Sequence, residues 1–407
     1  MKSYHFECVN CSTVYELDEV SYLCPVCELK NTSDTPPMGV LKLVYNYDDL
    51  IASDVSFDNL EKNNFLDILP IEDATSFPNL AIGNTPLYDI DSFKLPFNLF
   101  LKDDSQNPTY SFKDRASSLV SAYAKENGID TIVTASTGNA GSSLAGICAS
   151  QNQRAIIIVP ESAPMAKLSQ ILMYGATIIP IKGTYDDAFD LSIEATNKFG
   201  WYNRNTAFNP LTIEGKKTVA FEIYKQMNHQ VPDRIFVPVG DGVIISGIYK
   251  GFEDLLKLGI IDHMPIVIAV QADKSDNLVR NIENESFVIK SSSTIADSIS
   301  VDIPRNFHMA KNYISKYRGE WLSISDKDIL EASSLLSKKT GLFAEPAAAA
   351  AFAGLLSYQG MNNIPENSNN IVLLTGSGLK DLGAVGTIVS MPKSINPTIE
   401  ELDKLLK

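Results

Sequence analysis

The stretch "TIVTASTGNAGSSLAGICASQNQRAIIIVP", residues 131–160, contains the pattern that decides the fold. It begins with an apolar run at 131–136, continues with a segment rich in small residues at 139–152, and ends with a second apolar run at 155–160. Short apolar runs that flank a helical segment are typical of two parallel strands joined by a helix. The sequence therefore predicts a βαβ unit here.

The same alternation of apolar runs and amphipathic stretches continues along the chain. Further strands are predicted in "ATIIPI", "RIFVPVG", "IVIAVQA" and "NIVLLTGSG", and further helices in "MAKLSQILMYG", "DDAFDLSIEATNKFG" and "VAFEIYKQMN". Strands that alternate with helices form mainly parallel sheets covered by helices. The sequence predicts an α/β protein with at least two sheets and shows no internal repeat.

Composition and charge exclude several classes of function. The chain has 407 residues, of which 44% are hydrophobic, so it can bury the cores of two or three domains. Its formal net charge of −15 disfavours nucleic acid or an anionic membrane as a partner. No apolar run has the length of a membrane span, and the N-terminus lacks a secretory apolar segment. We expect a cytoplasmic protein that binds neither nucleic acid nor membrane.

Four of the five cysteines form two CxxC pairs near the N-terminus, Cys8/Cys11 and Cys24/Cys27. In a reducing compartment such pairs are seldom disulfides, and four thiolates can surround a structural Zn²⁺ ion tetrahedrally. Four free thiols are the alternative. Cys148 lies in the apolar "LAGICAS" and is expected to pack in the core.

Three glycine-containing loops follow predicted strands, which is where ligands of α/β proteins bind. They are Ser136–Gly141, Gly240–Gly242 and Thr375–Gly378. Glycine-rich backbone at the start of a helix presents unpaired N–H groups that suit a phosphate or a carboxylate. One such loop alone is more often only a turn, but three in one chain predict a ligand site.

A lysine at a predicted helix start supplies another part of this site. Lys113 lies in "NPTYSFKDRAS", residues 107–117, and on that stretch alone it could equally be a solvated lysine. The glycine loops lack both GK[ST] and GxGxxG, so neither nucleotide fingerprint is present. A lysine together with a phosphate-binding loop favours pyridoxal phosphate held covalently by that lysine.

These features together resemble the threonine synthase family of fold-type II pyridoxal-phosphate enzymes, from about Asn84 to Leu382. The motifs that carry the resemblance are "GNTPL" (83–87), "NPTYSFKDR" (107–115), "STGNAG" (136–141), "EGKKT" (214–218), "VPVGDG" (237–242), "FAEPAAAA" (343–350) and "TGSGLKD" (375–381). The resemblance implies two open, twisted, mainly parallel sheets with a small N-terminal zinc-knuckle-like segment. The implied division is a knuckle at 1–35, a large cofactor-binding domain at 36–110 and 206–407, and a small domain at 111–205.

The resemblance also implies a role for each matching residue. Lys113 would bind the cofactor covalently and move protons at Cα and Cβ of the substrate. Asn139 would donate a hydrogen bond to the 3-oxygen of the cofactor, and Thr375 would contact its ring nitrogen. The cofactor phosphate would be held by the backbone of Gly240, Asp241, Gly242, Val243 and Ile244, and the substrate carboxylate by Ser136, Thr137, Gly138 and Ala140.

The reaction implied by the resemblance converts O-phospho-L-homoserine and water to L-threonine and phosphate, in a homodimer. Three departures from the family pattern lie near the substrate: Thr212 stands where arginine is common, Tyr110 where glycine is usual, and the loop after Gly240 lacks asparagine. Replacement ligands for the substrate phosphate are then expected among Lys216, Lys217 and Ser246.

Three other functions stay open on the sequence. One is a cysteate synthase-like replacement on O-phosphoserine, and a second is a serine/threonine ammonia-lyase, which "TIADSISV" (294–301) also fits. The third is a non-catalytic, ligand-sensing protein. Around the site we expect Glu345 to shape the cavity ahead of a close-packed alanine helix, and Asp114 and Arg115 to form a structural ion pair behind Lys113.

Overall fold

The structure is a computed structural model that describes residues 4–361 and 364–406. Its strands are β1 Tyr4–Cys8, β2 Val14–Tyr15, β3 Leu41–Tyr45, β4 Leu87–Asp89, β5 Asn98–Asp103, β6 Thr131–Ala135, β7 Arg154–Pro160, β8 Thr177–Ile181, β9 Tyr202–Asn203, β10 Arg234–Pro238, β11 Ile266–Ala272, β12 Glu320–Ile324 and β13 Asn369–Leu374. Its helices are α1 Pro25–Glu28, α2 Tyr47–Ala52, α3 Phe57–Lys62, α4 Lys113–Glu126, α5 Asn139–Gln151, α6 Met165–Met173, α7 Tyr185–Phe199, α8 Leu211–Gln226, α9 Val243–Lys257, α10 Phe307–Lys316, α11 Asp326–Thr340, α12 Pro346–Gly360, α13 Leu382–Val385 and α14 Ile399–Leu406.

The described strands form three sheets. The largest has the order β12-β11-β10-β13-β5-β4 and is parallel except for β4, which pairs antiparallel with β5. The second, β8-β7-β6-β9, is parallel throughout. A small antiparallel sheet, β2-β1-β3, joins the cysteine segment to residues 41–45. The predicted α/β class with two mainly parallel sheets and a small N-terminal segment is confirmed.

Both large sheets are apolar on both faces, as expected for parallel sheets that are covered by helices. In β10, Ile235 and Val237 pack with residues of α8 and α9, whereas Phe236 between them packs with α12. In β6, Ile132 and Val133 likewise face different helices. This two-sided burial explains why the strands appear in the sequence as continuous apolar runs.

Small residues let the helices α5 and α12 pack closely against neighbouring segments of the chain. The alanines of α12 from 347 to 351 are buried, and a Cβ on Gly354 would lie 2.6 Å from Cγ2 of Val270. A Cβ on Gly146 in α5 would lie 2.7 Å from Cγ2 of Thr109, in the segment before α4. The predicted close packing of the alanine helix is confirmed, and α5 needs its glycine for the same reason.

The predicted domain bounds remain a prediction, but the sheets divide along similar lines. The strands of the four-stranded sheet come from residues 131–203, and those of the six-stranded sheet come from 87–103 and 234–374. The segment between the cysteines and the main body contributes Phe57 and Leu60 to the core of the larger part. None of the helices in the described residues is both long and apolar enough to cross a membrane.

A buried ion cluster joins α4 to α8 behind the predicted lysine. Arg115 donates to Asp104 through Nε at 2.6 Å and to Glu222 through Nη1 at 2.6 Å, and Lys102 donates to Glu222 at 2.7 Å. Asp114 instead accepts a hydrogen bond from the backbone N–H of Thr109 at 2.7 Å. Asp114 and Arg115 are therefore both structural, but the predicted ion pair between them is wrong because each is committed to a partner elsewhere.

Glu222→Gln tests how much this cluster stabilises the fold. Arg115 and Lys102 hold the pKa of Glu222 at about 2, below its ordinary 4.5, against the opposing effect of burial. A depressed pKa stabilises the fold above the unfolded-state pKa and loses that effect as the pH falls through the folded-state value. We expect the variant to lose about 3 kcal/mol of unfolding free energy at pH 7. The difference from the unsubstituted protein should shrink between pH 4.5 and pH 2.

Glu61→Gln is the matched control, because Glu61 pairs with Lys225 on the same helix α8 where both side chains are partly exposed. Urea unfolding should show a change of less than about 1 kcal/mol in the control. Equal losses in the two variants, or a Glu222→Gln effect that does not depend on pH, would contradict a buried, ionised Glu222.

Candidate active site

Lys113 is held at the start of α4 by hydrogen bonds to the loop that follows β13. The backbone N–H of Phe112 donates to the carbonyl of Thr375 at 2.9 Å, and the N–H of Ser377 donates to the carbonyl of Tyr110 at 3.1 Å. Both bonds lie just before the lysine in the sequence and fix the backbone that leads into it. They place Lys113 beside Thr375, so two of the residues that were predicted to share a site do lie together.

The environment of Lys113 lowers the pKa of its amine. Burial lowers the pKa of Lys113, the carboxylate of Glu345 opposes that shift, and the guanidinium of Arg204 adds to it. A lysine with a lowered pKa is a better nucleophile at neutral pH, because more of it carries a free electron pair. The direction of this shift suits covalent attachment of a carbonyl compound to Lys113.

Asn139 is the first residue of α5, and its side chain is hydrogen-bonded to Glu345, the carboxylate that also acts on Lys113. Its amide Nδ2 lies 3.1 Å from each carboxylate oxygen of Glu345, which is 2% exposed. Burial raises the pKa of Glu345, and the hydrogen bond from Asn139 opposes that rise. A Cβ on Gly376 would lie 2.5 Å from Oε1 of Glu345, so a larger residue there would have to displace this carboxylate.

The loop between β10 and α9 has the form of an anion site. The backbone N–H groups of residues 240–244 donate to no protein acceptor within the described part of the chain. Gly242 has φ of +87°, which suits glycine and turns the chain into α9. Unpaired N–H groups at the start of a 15-residue helix fit a phosphate. The side chain of Asp241 instead accepts a hydrogen bond from the N–H of Arg305 at 3.1 Å.

The loop between β6 and α5 offers a second set of free donors. Ser136, Thr137, Gly138 and Ala140 are half-buried. Among the described residues, no protein acceptor takes the N–H of Thr137 or Ala140. Such donors suit a carboxylate group. A Cβ on the following Gly141 would lie 2.3 Å from the carbonyl oxygen of Ser136, so only glycine fits the turn.

Comparison with known proteins agrees with this geometry. A family model described as "Pyridoxal-phosphate dependent enzyme" matches residues 78–376. The threonine synthase of Methanocaldococcus jannaschii is 35% identical over 98% of both chains, and that of Methanosarcina acetivorans is 32% identical over 98% of both. This chain belongs to the threonine synthase family.

Solved structures show the same fold at lower sequence identity. The processed form of threonine deaminase isoform 2 from Solanum lycopersicum superimposes with a TM-score of 0.64 at 22% identity, covering 79% of this chain and 82% of that one. At this level of identity the likeness concerns the fold alone. It confirms that the two mainly parallel sheets have the fold of fold-type II pyridoxal-phosphate enzymes.

The residues present fit the cofactor of the family. Lys113 supplies a half-buried amine, residues 240–244 supply free N–H groups, and Thr375 lies beside the lysine. Another free polar group lies in the same segment, since the hydroxyl oxygen of Ser111 is buried without a hydrogen-bond partner in the described residues. Pyridoxal phosphate needs an amine, a phosphate cradle and a partner for its ring nitrogen, and all three kinds of group converge here.

Of the three residues predicted to bind the substrate phosphate, Lys216, Lys217 and Ser246, two are already engaged within the protein. Lys217 donates to Glu214 and to Asp254, and the hydroxyl of Ser246 donates to the carbonyl of Gly242. Lys216 has no hydrogen-bond partner for Nζ within the described residues. Of the three, only Lys216 therefore has an unused polar group.

Sequence reasoning missed Arg204 and gave Glu345 only a general role. Arg204 directly follows β9 and is 0% exposed, and its Nη2 is without a partner among the described residues. The signal in the sequence was a lone cation in the polar segment "YNRNTAFNP" (202–210). Thr212, at the position where arginine is common, donates to the carbonyl of Asn209 at 2.8 Å.

The four N-terminal cysteines come together as a compact cluster. The sulfur atoms of Cys8, Cys11, Cys24 and Cys27 all lie within 4.8 Å of one another, and those of Cys11 and Cys24 are 3.8 Å apart. Zn–S bonds of about 2.3 Å in a tetrahedron place sulfur atoms about 3.8 Å apart. The cluster therefore has dimensions that fit Zn²⁺, with a thiolate for each of the four positions.

Lys113→Ala tests whether this amine holds the cofactor. In the unsubstituted protein, reduction with borohydride should leave a pyridoxyl phosphate group on the peptide that contains Lys113, and mass spectrometry will locate it. The variant should yield no labelled peptide and lose the visible absorbance of the bound cofactor. Lys125→Ala, at the exposed end of the same helix α4, is the control and should label normally. Labelling on a different lysine would refute the assignment.

Metal analysis tests the cysteine cluster. We expect about one zinc ion per chain after purification without chelators, and loss of that zinc with a lower thermal midpoint in Cys24→Ser. Cys148→Ser is the control, because Cys148 is buried away from the cluster and should not affect zinc content. Full thermal stability in zinc-free protein would show that the four thiols fold this segment without a metal.

Proposed function

We propose that this protein is a threonine synthase that converts O-phospho-L-homoserine and water to L-threonine and phosphate. The observation that carries the proposal is the similarity to threonine synthases over 98% of both chains, which includes the cysteine segment as well as the site. The enzyme is a pyridoxal-phosphate-dependent lyase acting on a small amino-acid substrate.

The proposed chemistry combines the cofactor with three side chains of the site. Pyridoxal phosphate, when bound, supplies an electron sink that acidifies the Cα–H bond of an amino acid. Lys113 binds the cofactor and, with its pKa lowered by burial, takes a proton from Cα and returns protons during turnover. Asn139 positions the ring through its amide, and Glu345 orients that amide.

Thr375 would favour elimination and replacement over transamination. A hydroxyl at the ring nitrogen is neutral, so it does not hold that nitrogen protonated as a carboxylate would. Such a partner gives a moderate electron sink, which suits loss of a leaving group from the substrate side chain. The free N–H groups of Thr137 and Ala140 would bind the substrate carboxylate and so fix the Cα–H bond relative to Lys113.

The overall reaction needs a second phosphate site, because the leaving group is itself a phosphate. Removal of protons from Cα and Cβ allows the C–O bond at Cγ to break with release of phosphate. Protonation at Cγ, followed by addition of one water with its hydroxyl at Cβ and its proton at Cα, completes threonine. The balance is one substrate and one water consumed for one threonine and one phosphate released.

The proposed setting is a cytoplasmic homodimer with a structural zinc ion. Its support is the family resemblance together with five cysteines that form no disulfide in the structure. Reducing compartments favour metal binding over disulfides for paired CxxC motifs. Cys8, Cys11, Cys24 and Cys27 would then stabilise the N-terminal sheet.

The deciding experiment measures products from three substrates in parallel: O-phospho-L-homoserine, O-phospho-L-serine with sulfite, and L-threonine alone. We expect threonine and phosphate in equal amounts from the first substrate, and no turnover after Lys113→Ala. Cysteate from the second substrate would replace the proposal with a β-replacement enzyme. Ammonia and 2-oxobutyrate from threonine, without turnover of either phosphorylated substrate, would establish an ammonia-lyase instead.

A further inference from the structure

Two buried cations near Lys113 lack the partners that buried charges normally have. Arg204 and Lys216 are 0% and 1% exposed, and Nη2 of Arg204 and Nζ of Lys216 form no hydrogen bond in the described residues. Leaving a buried ionised group without a partner is costly, and most proteins avoid it. Two such groups in one place indicate that an anion belongs between or beside them.

The charges around Lys216 do not cancel. Burial lowers the pKa of Lys216 well below its ordinary value, and Arg204 and Lys113 lower it further. The carboxylate of Asp241 opposes this effect, but one of its oxygens is engaged by the N–H of Arg305. Burial likewise lowers the pKa of Arg204 to about 10. The local excess of positive charge suits a ligand with more than one negative charge.

Arg204 is oriented by its other donors. Its Nε donates to the hydroxyl of Ser117 on α4 at 3.1 Å, and its Nη1 donates to the hydroxyl of Thr206 at 3.2 Å. These bonds fix the plane of the guanidinium and leave Nη2 free for a ligand. A planar guanidinium and a nearby ammonium are the side chains that proteins use most for phosphate, which is close to a dianion at neutral pH.

We propose that Arg204 and Lys216 together bind the phosphate group of the substrate and so select a phosphorylated amino acid. The inference rests on the proposed function for the identity of the substrate, but the anion site follows from the two unpaired cations alone. The cofactor phosphate has its own set of donors in the free N–H groups of residues 240–244, in the loop between β10 and α9.

Lys217 provides a matched control for Lys216. Both lysines are buried on α8, but Lys217 is paired with Glu214 and with Asp254 at 2.7 Å. Lys217→Met removes a cation that two buried carboxylates need, so it should lower the thermal midpoint whether or not phosphate is present. Lys216→Met removes a cation that has no partner, so the phosphate-free protein should be as stable as the unsubstituted one or more stable.

The first test measures binding of inorganic phosphate to the holoenzyme by its thermal midpoint, against chloride at the same ionic strength. Phosphate should raise the midpoint of the unsubstituted protein and have no such effect on Lys216→Met or Arg204→Gln. Arg204→Lys should keep part of the shift. An equal phosphate shift in Lys216→Met and in the unsubstituted protein would overturn the proposal. This test does not use the reaction, so it separates failure of the anion site from failure of the proposed function.

The second test identifies which phosphate is bound. In Lys216→Met and Arg204→Gln the KM for O-phospho-L-homoserine should rise at least about thirtyfold, because a buried charge pair with the phosphate is lost. The dissociation constant of pyridoxal phosphate should stay unchanged. A weaker affinity for the cofactor without a change in KM would assign the two cations to the cofactor phosphate and overturn the proposal.

Discussion

The hydrogen bond from Phe112 to Thr375, with its companion from Ser377 to Tyr110, is the contact on which the site depends. It joins the start of α4 to the carboxyl end of β13, a central strand of the six-stranded sheet. Two segments that are far apart in sequence therefore meet at one edge of that sheet. Both bonds are made by residues that directly precede Lys113, so they fix the backbone that leads into it. The ion cluster of Arg115 then fixes the next turn of α4 against α8. A reactive amine can be half-buried here because the backbone on both sides of it is held.

Helix α8 carries both a balanced and an unbalanced set of buried charges. Lys217 and Lys250 face Glu214 and Asp254, so two lysines meet two carboxylates. One residue earlier, Lys216 faces cations on the side of the site. The balanced set stabilises the packing of α8 on α9, whereas the unbalanced set raises the energy of the protein until an anion is present. On one helix, Lys217 thus contributes to the stability of the fold, and the neighbouring Lys216 contributes to the affinity for an anion.

Which of these features the sequence predicts depends on how local the signal is. The strands, the helices and the three glycine loops follow from apolar runs and from turn residues, because both faces of the parallel sheets are buried. The cysteine cluster follows from two CxxC spacings. Partners across elements were not predictable in this way. Asp114 and Arg115 are adjacent in sequence but point to different partners, and the free groups of Arg204 and Lys216 are visible only when their surroundings are known.

The small N-terminal sheet is connected to the same helices by polar contacts. Strand β3 pairs with β1, which ends at Cys8. Tyr45 of β3 donates a hydrogen bond to Glu214 at 2.8 Å. Lys42, also in β3, donates to Glu253 on α9. Glu214 lies two residues before Lys216, so the sheet that holds the first cysteine also fixes the turn that presents the unpaired lysine. A metal that orders the cysteines would therefore order the start of α8 as well, because a shift of β3 would break a buried hydrogen bond to the balanced charge set.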